Sequence, residues 1–153
     1  MQELKLPTKP VENWEQVRDE WIRAVNDLVG NVERWCRARD WPTRRIEKRM
    51  EDRKLGEYIV PALVIQVDLV KLMLEPVARF VPGAEGVVDL YRMPQFADVA
   101  SIFYRGGRWE YLATVTEMEL PPDQRHNEPD SDVVGIPGQF TETEFQGLIK
   151  LLA

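Results

Sequence analysis

The sequence predicts an α+β fold: a long N-terminal helix packed on an antiparallel meander sheet of five or six strands, with a short C-terminal helix. Three observations carry this expectation. Apolar residues at Trp14, Val17, Trp21, Ala24, Val25, Leu28, Val32 and Trp35 recur every three or four positions, the repeat of one helical face. From Glu57 to Thr116, short segments rich in β-branched and aromatic residues alternate with turn residues. Near the end, Phe145, Leu148, Ile149 and Leu152 line one face of a final helix.

Residues 1–11 hold Pro7 and Pro10 and read as an extended lead-in. The first helix runs over Val11 to Arg39. Asn13 is its N-cap, and Glu15, Asp19 and Glu20 sit where the helix dipole favours acids. It should stop near Asp40, ahead of Pro42. Residues 43–56 leave two readings. Their propensities suit a helix ending at Lys54-Leu55-Gly56. A strand from Thr43 to Met50 with a turn at Glu51–Lys54 also fits, with Ile46 and Met50 inward and the arginines outward. The strand is preferred, because a short Asp-Trp connection into a meander is compact.

Further strands are expected at Tyr58–Val67, Val70–Val81, Val87–Met93, Asp98–Tyr104 and Trp109–Thr116. Asp68 marks a tight turn, residues 82–86 a looser one, and Arg105-Gly106-Gly107-Arg108 a hairpin. Val70, Leu72 and Leu74 fall on one face and Lys71, Met73 and Glu75 on the other. Pro61 and Pro76 each remove a ladder donor, which places them at an edge or a bulge. Consecutive strands joined by short turns make a meander. Residues 12–116 are therefore read as one α+β domain. Residues 117–140 form an acidic arm rich in Pro and Gly, and residues 141–153 an amphipathic helix opened by a Thr141–Glu144 capping box. That helix either folds back onto the domain or docks on another protein.

The chain has 153 residues and a net charge of −6, which argues against coating nucleic acid or anionic membrane with its whole surface. One cysteine, Cys36, excludes an internal disulfide, and one histidine, His126, excludes a multi-histidine metal site. The longest apolar run, Ile59 to Val67, is too short for a membrane span. These features suggest a cytoplasmic protein without a membrane partner, cofactor or metal.

The acidic average hides one basic segment. Residues 34–54 carry nine cations against four acids, interleaved with Trp35 and Trp41. Arginine forks suit phosphates and carboxylates, and indole rings stack on bases. The expected function is a non-catalytic interaction or accessory module. It would bind a protein or nucleoprotein partner, with nucleic acid as one candidate, through Arg34, Arg37, Trp41, Arg44, Arg45, Lys48, Arg49 and Arg53. The stripe of Trp14, Trp21 and Trp35 covers the sheet, or else pairs two copies as a homodimer.

Two alternatives compete. Glu75 and Asp89 with Lys71 would serve a metal-dependent nuclease or hydrolase if the two carboxylates converge. A sheet nuclease would also need a Glu-x-Lys on the strand after its Asp, and Glu110 is followed instead by Tyr111 and Leu112. The other alternative is a small-molecule-binding domain, which needs a cavity between helix and sheet.

Overall fold

A computed structural model describes residues 13–94, 99–113 and 138–153. Helix α1 spans Trp14–Arg37. The Asn13 side chain opens it by accepting from the N–H groups of Glu15 and Gln16, two donors that have no partner within the helix. Asp40 closes the end in the left-handed region (φ 56°), and the N–H of Trp41 turns back to the Cys36 carbonyl at 3.0 Å.

The sheet follows as β1 (Thr43–Asp52), β2 (Gly56–Val67), β3 (Val70–Ala78), β4 (Gly86–Arg92), β5 (Val99–Arg105), β6 (Arg108–Ala113) and β7 (Gly138–Gln139). Helix α2, Glu142–Leu152, ends the chain. Every pairing is antiparallel and spatial order follows chain order, so the meander is as expected. Residues 43–52 are a strand, which decides between the two readings of that segment. Asp68, Gly106 and Gly107 supply the positive φ that two-residue hairpin turns need. The β1–β2 turn is held by the Asp52 carboxylate, which accepts from the N–H groups of Lys54 and Leu55.

Helix α1 lies across one sheet face. Trp21 is fully buried, its ring 6.0 Å from that of Tyr104 and 5.9 Å from that of Trp109. It fits because Gly86 is beneath it: a Cβ there would stand 2.6 Å from the indole. Trp35 packs at 5.7 Å from Phe140 and 5.6 Å from Phe145, and Trp41 reaches Phe145 edge-on. Helix α2 thus docks in cis, with Phe145, Leu148, Ile149 and Leu152 buried in the common core. The tryptophan stripe faces this core, and Trp21 has no exposed surface to offer a second copy.

Strand β2 changes its buried side midway. Leu63, Ile65 and Val67 are buried on the face toward α1, whereas Tyr58, Val60 and Ala62, of opposite parity, are buried before them. The change coincides with the end of the β2–β3 ladder at Leu63↔Leu74. Beyond it β3 pairs only with β4 and bulges between Pro76 and Ala78. Pro61 and Pro76 both lie in this parted region, consistent with their missing N–H groups.

Three local expectations need correction. Ile46 does not point into the core with Met50. It is 37% exposed, because β1 is the outermost strand and only Ala62 stands opposite it. Thr141 caps α2 by position, but its side chain makes no capping bond; Glu144, the other half of the expected box, accepts instead from the Tyr111 hydroxyl at 3.1 Å. The segment read as an acidic arm re-enters the fold before its end, since Gly138–Gln139 pairs with β6 and Phe140 is buried. His126 and the rest of that arm lie outside the described residues, as does the lead-in.

Gly86→Ala should therefore destabilise the protein by about 1–3 kcal/mol through overpacking against Trp21, read by denaturant unfolding. An unchanged midpoint would refute this packing. Cys36 is fully enclosed, and burial, with Glu33 adding, pushes its thiol up to about 12. Thiol reagents at mildly alkaline pH should label it only after unfolding, as followed by mass spectrometry.

Candidate functional site

The face of the sheet away from α1 carries a polar row. Glu75, Asp89 and Ser101 stand directly opposite one another on β3, β4 and β5. The two acids proposed for the hydrolase reading therefore share a face and are neighbours. Lys71 does not join them. It lies four positions from Glu75, roughly 13 Å along the strand, exposed and opposite Gln66. The cation that does join is Lys48 of β1, whose Nζ is 3.2 Å from Glu75 Oε2 and donates to the Pro76 carbonyl at 2.6 Å. The sequence signal for Lys48 was its charge alone, because only the parted ladder brings β1 within reach of β3.

The row is satisfied internally. Tyr91 donates to Glu75 Oε1 at 2.9 Å, and Ser101 donates to Asp89 Oδ1 at 2.9 Å. Both oxygens of Glu75 are thereby engaged. Burial raises the Asp89 carboxyl above its ordinary range and the negative charge of Glu75 adds to this; the Ser101 hydrogen bond and Lys48 oppose it. Burial and the bond to Glu75 push the Tyr91 phenol up to about 12, so it stays a hydrogen-bond donor near neutrality. The pairs Asp89–Arg92 and Glu75–Arg79 do not form. Arg92 is of opposite parity to Asp89, and Arg79 engages Glu85. Among the described residues, no three His, Cys, Asp or Glu side chains come together in a metal-ligating group.

The basic segment divides into cations used within the fold and cations facing solvent. Arg45 donates to Glu33 of α1 from both Nε and a terminal nitrogen, at 2.8 and 2.5 Å. Lys48 belongs to the polar row. Lys54 sits over the rings of Trp14 and Phe80, 5.0 and 5.1 Å from their centroids. Arg34 is exposed and donates to Asn31 within its own helix. Arg37, Arg39, Arg44, Arg49 and Arg53 are exposed and have no side-chain hydrogen bond or ion pair among the described residues. Trp41 is half-buried, with its ring packed edge-on against Phe145.

Between α1 and the β1–β2 pair runs a groove of about 400 Å³, lined by Asn26, Arg45, Glu47, Ile59 and Pro61. Its polar wall is occupied, since Arg45 holds Glu33 and contacts Asn26.

The sequence matches no protein-family model, and no curated protein or solved structure is significantly similar to the chain.

The raised Asp89 carboxyl sets a pH dependence. A carboxyl whose folded pKa exceeds its unfolded value favours folding fully below the unfolded pKa, and loses that contribution as pH rises through the folded pKa. At neutral pH the buried charge is a liability. Asp89→Asn, which keeps an acceptor for Ser101, should be more stable relative to the parent at pH 7 than at pH 4, measured by urea unfolding. A difference independent of pH would overturn this account.

Proposed function

We propose that this chain is a non-catalytic interaction module that docks an acidic protein surface through the arginines around the C-terminal end of α1. Arg34, Arg37 and Arg39, in the last turn of α1 and just after it, form that surface. The supporting observation is that these guanidiniums are exposed and almost entirely without acidic partners, while Glu75 and Asp89 are engaged by partners within the fold. Exposed arginines suit planar, bidentate recognition of carboxylates.

A protein partner is favoured over nucleic acid by the tryptophans. Single-strand binding draws its sequence-tolerant affinity from rings on which bases stack. Trp35 and Trp41 are half-buried against Phe140 and Phe145, which leaves the basic segment less ring surface for stacking than its sequence suggests. No helix among the described residues is long and apolar enough to cross a membrane.

The test is affinity capture at low salt, with and without nuclease, using the parent and the Arg34→Glu/Arg37→Glu/Arg39→Glu variant. A specific protein should be retained after nuclease treatment, and its affinity should fall about tenfold or more in the variant. Loss of all capture on nuclease treatment would move the reading to nucleic acid. Capture that is indifferent to the charge reversal would remove the arginines from the interface.

A further inference from the structure

We infer that β1 is a self-complementary edge, and that two copies of this chain pair through it, antiparallel, about a two-fold axis at Lys48. Among the described residues, strand β1 is the outermost of the sheet, and it is ten residues long. A long open edge presents unpaired N–H and C=O groups and is either guarded or paired. Charged side chains can guard such an edge, and where both signs are present they can also match a reversed copy of the same strand. Here both signs are present, cations toward the start and acids toward the end: Arg44, Arg45, Glu47, Lys48, Arg49, Glu51 and Asp52.

Backbone chemistry limits the symmetric pairings. Along a strand the outward N–H and C=O groups belong to every second residue, and antiparallel partners must both be of the outward or both of the inward kind. A two-fold axis must then pass through a residue, not between two. With the axis at Lys48, Glu47 stands opposite Arg49 of the second copy and Arg44 opposite Asp52, while Arg45, already bonded to Glu33, comes opposite Glu51. Each pair occurs twice by symmetry. Ile46, 37% exposed in one copy, comes to lie beside Met50. Lys48 meets its own equivalent, but its charge is already matched by Glu75 at 3.2 Å.

Neighbouring axes are worse. An axis at Glu47 sets Glu47 against itself and Arg45 against Arg49. An axis at Arg49 sets Arg49 against itself and Glu47 against Glu51. An axis at Ile46 opposes Arg45 and Glu47 but pairs only Thr43–Arg49 of the strand and sets Arg44 against Lys48. An axis at Met50 opposes unlike charges but retains only Lys48–Asp52 of the strand. Like charges directly opposite destabilise a sheet, and unlike ones support it. This contact differs from the tryptophan stripe, and it leaves Arg34, Arg37 and Arg39 facing solvent. The dimer and the acidic-partner reading therefore fail separately.

Sedimentation equilibrium of the full chain should show a concentration-dependent dimer. Glu47→Arg should raise its dissociation constant about tenfold or more, since two pairs turn from attraction to repulsion. Adding Arg49→Glu to that variant restores the opposition and should bring the constant back toward the parent value. A monomer at all concentrations, or a double variant no better than the single one, overturns the proposal. The register has its own test. Under mild oxidation, an equimolar mixture of the Glu47→Cys and Arg49→Cys variants should form a disulfide-linked dimer faster than either variant alone, with Cys36 buried and silent. Equal rates in the mixture and in the single variants overturn the assigned axis.

Discussion

Strands β2 and β3 both outlast the ladder that joins them, and much of the molecule is arranged around that parting. Their last pair is Leu63↔Leu74, yet β2 begins at Gly56 and β3 continues to Ala78. A sheet with one covered face normally buries one parity of each strand. Here Tyr58 and Val60 join the same core as Leu63 and Ile65, although their parities differ. Pro61 and Pro76 suit the parted segment because neither has an N–H to offer a neighbour. The polar groups left there need other partners, and Lys48 provides one by reaching the Pro76 carbonyl and Glu75 together.

That reach ties the two charge systems of the molecule together. Glu75 and Asp89 are engaged by Lys48, Tyr91 and Ser101, which matches their polar groups within the fold. The same contact takes Lys48 out of the basic segment, as Glu33 takes Arg45. What remains exposed of that segment is arginine-dominated and concentrated at the end of α1 and along β1. A segment that reads in sequence as one uniform basic stretch is, in three dimensions, a set of internal ties with a smaller free surface beside them.

The local signals in the sequence were readable where one interaction decides the outcome. The helical repeat from Trp14 to Trp35, the Asn13 cap and the positive-φ turns at Asp68 and Gly106-Gly107 each depend on the residue itself or on near neighbours. The same holds for the face alternation of Val70–Glu75 and the bulge at Pro76. Long-range competition was not readable. Glu144 has the spacing of a capping box with Thr141, but the Tyr111 hydroxyl from β6 takes its carboxylate. Lys71 is the cation nearest Glu75 in sequence, but a strand holds residues four apart well out of contact, whereas Lys48 comes from another strand. Asp89 stood out as an acid among apolar neighbours, and its adjacency to Glu75 followed only from the β3–β4 register.

The two ends of the sheet are finished in different ways. At one end β7 is only two residues long, and the chain passes directly from it into Phe140 and α2, whose apolar side closes on Trp35 and Trp41. Among the described residues, a short terminal strand continued by a packed helix leaves little backbone open at this end. At the other end β1 is full length, and its flanking helix touches it through side chains such as Glu33 to Arg45. The exposed charges of β1 keep that edge soluble, and solubility alone would be met by lysines or arginines in any order. The order present, with acids placed so that each meets a cation on a reversed copy of the same strand, requires a reason that a solvated edge does not supply. Pairing of two copies supplies it with the residues already there.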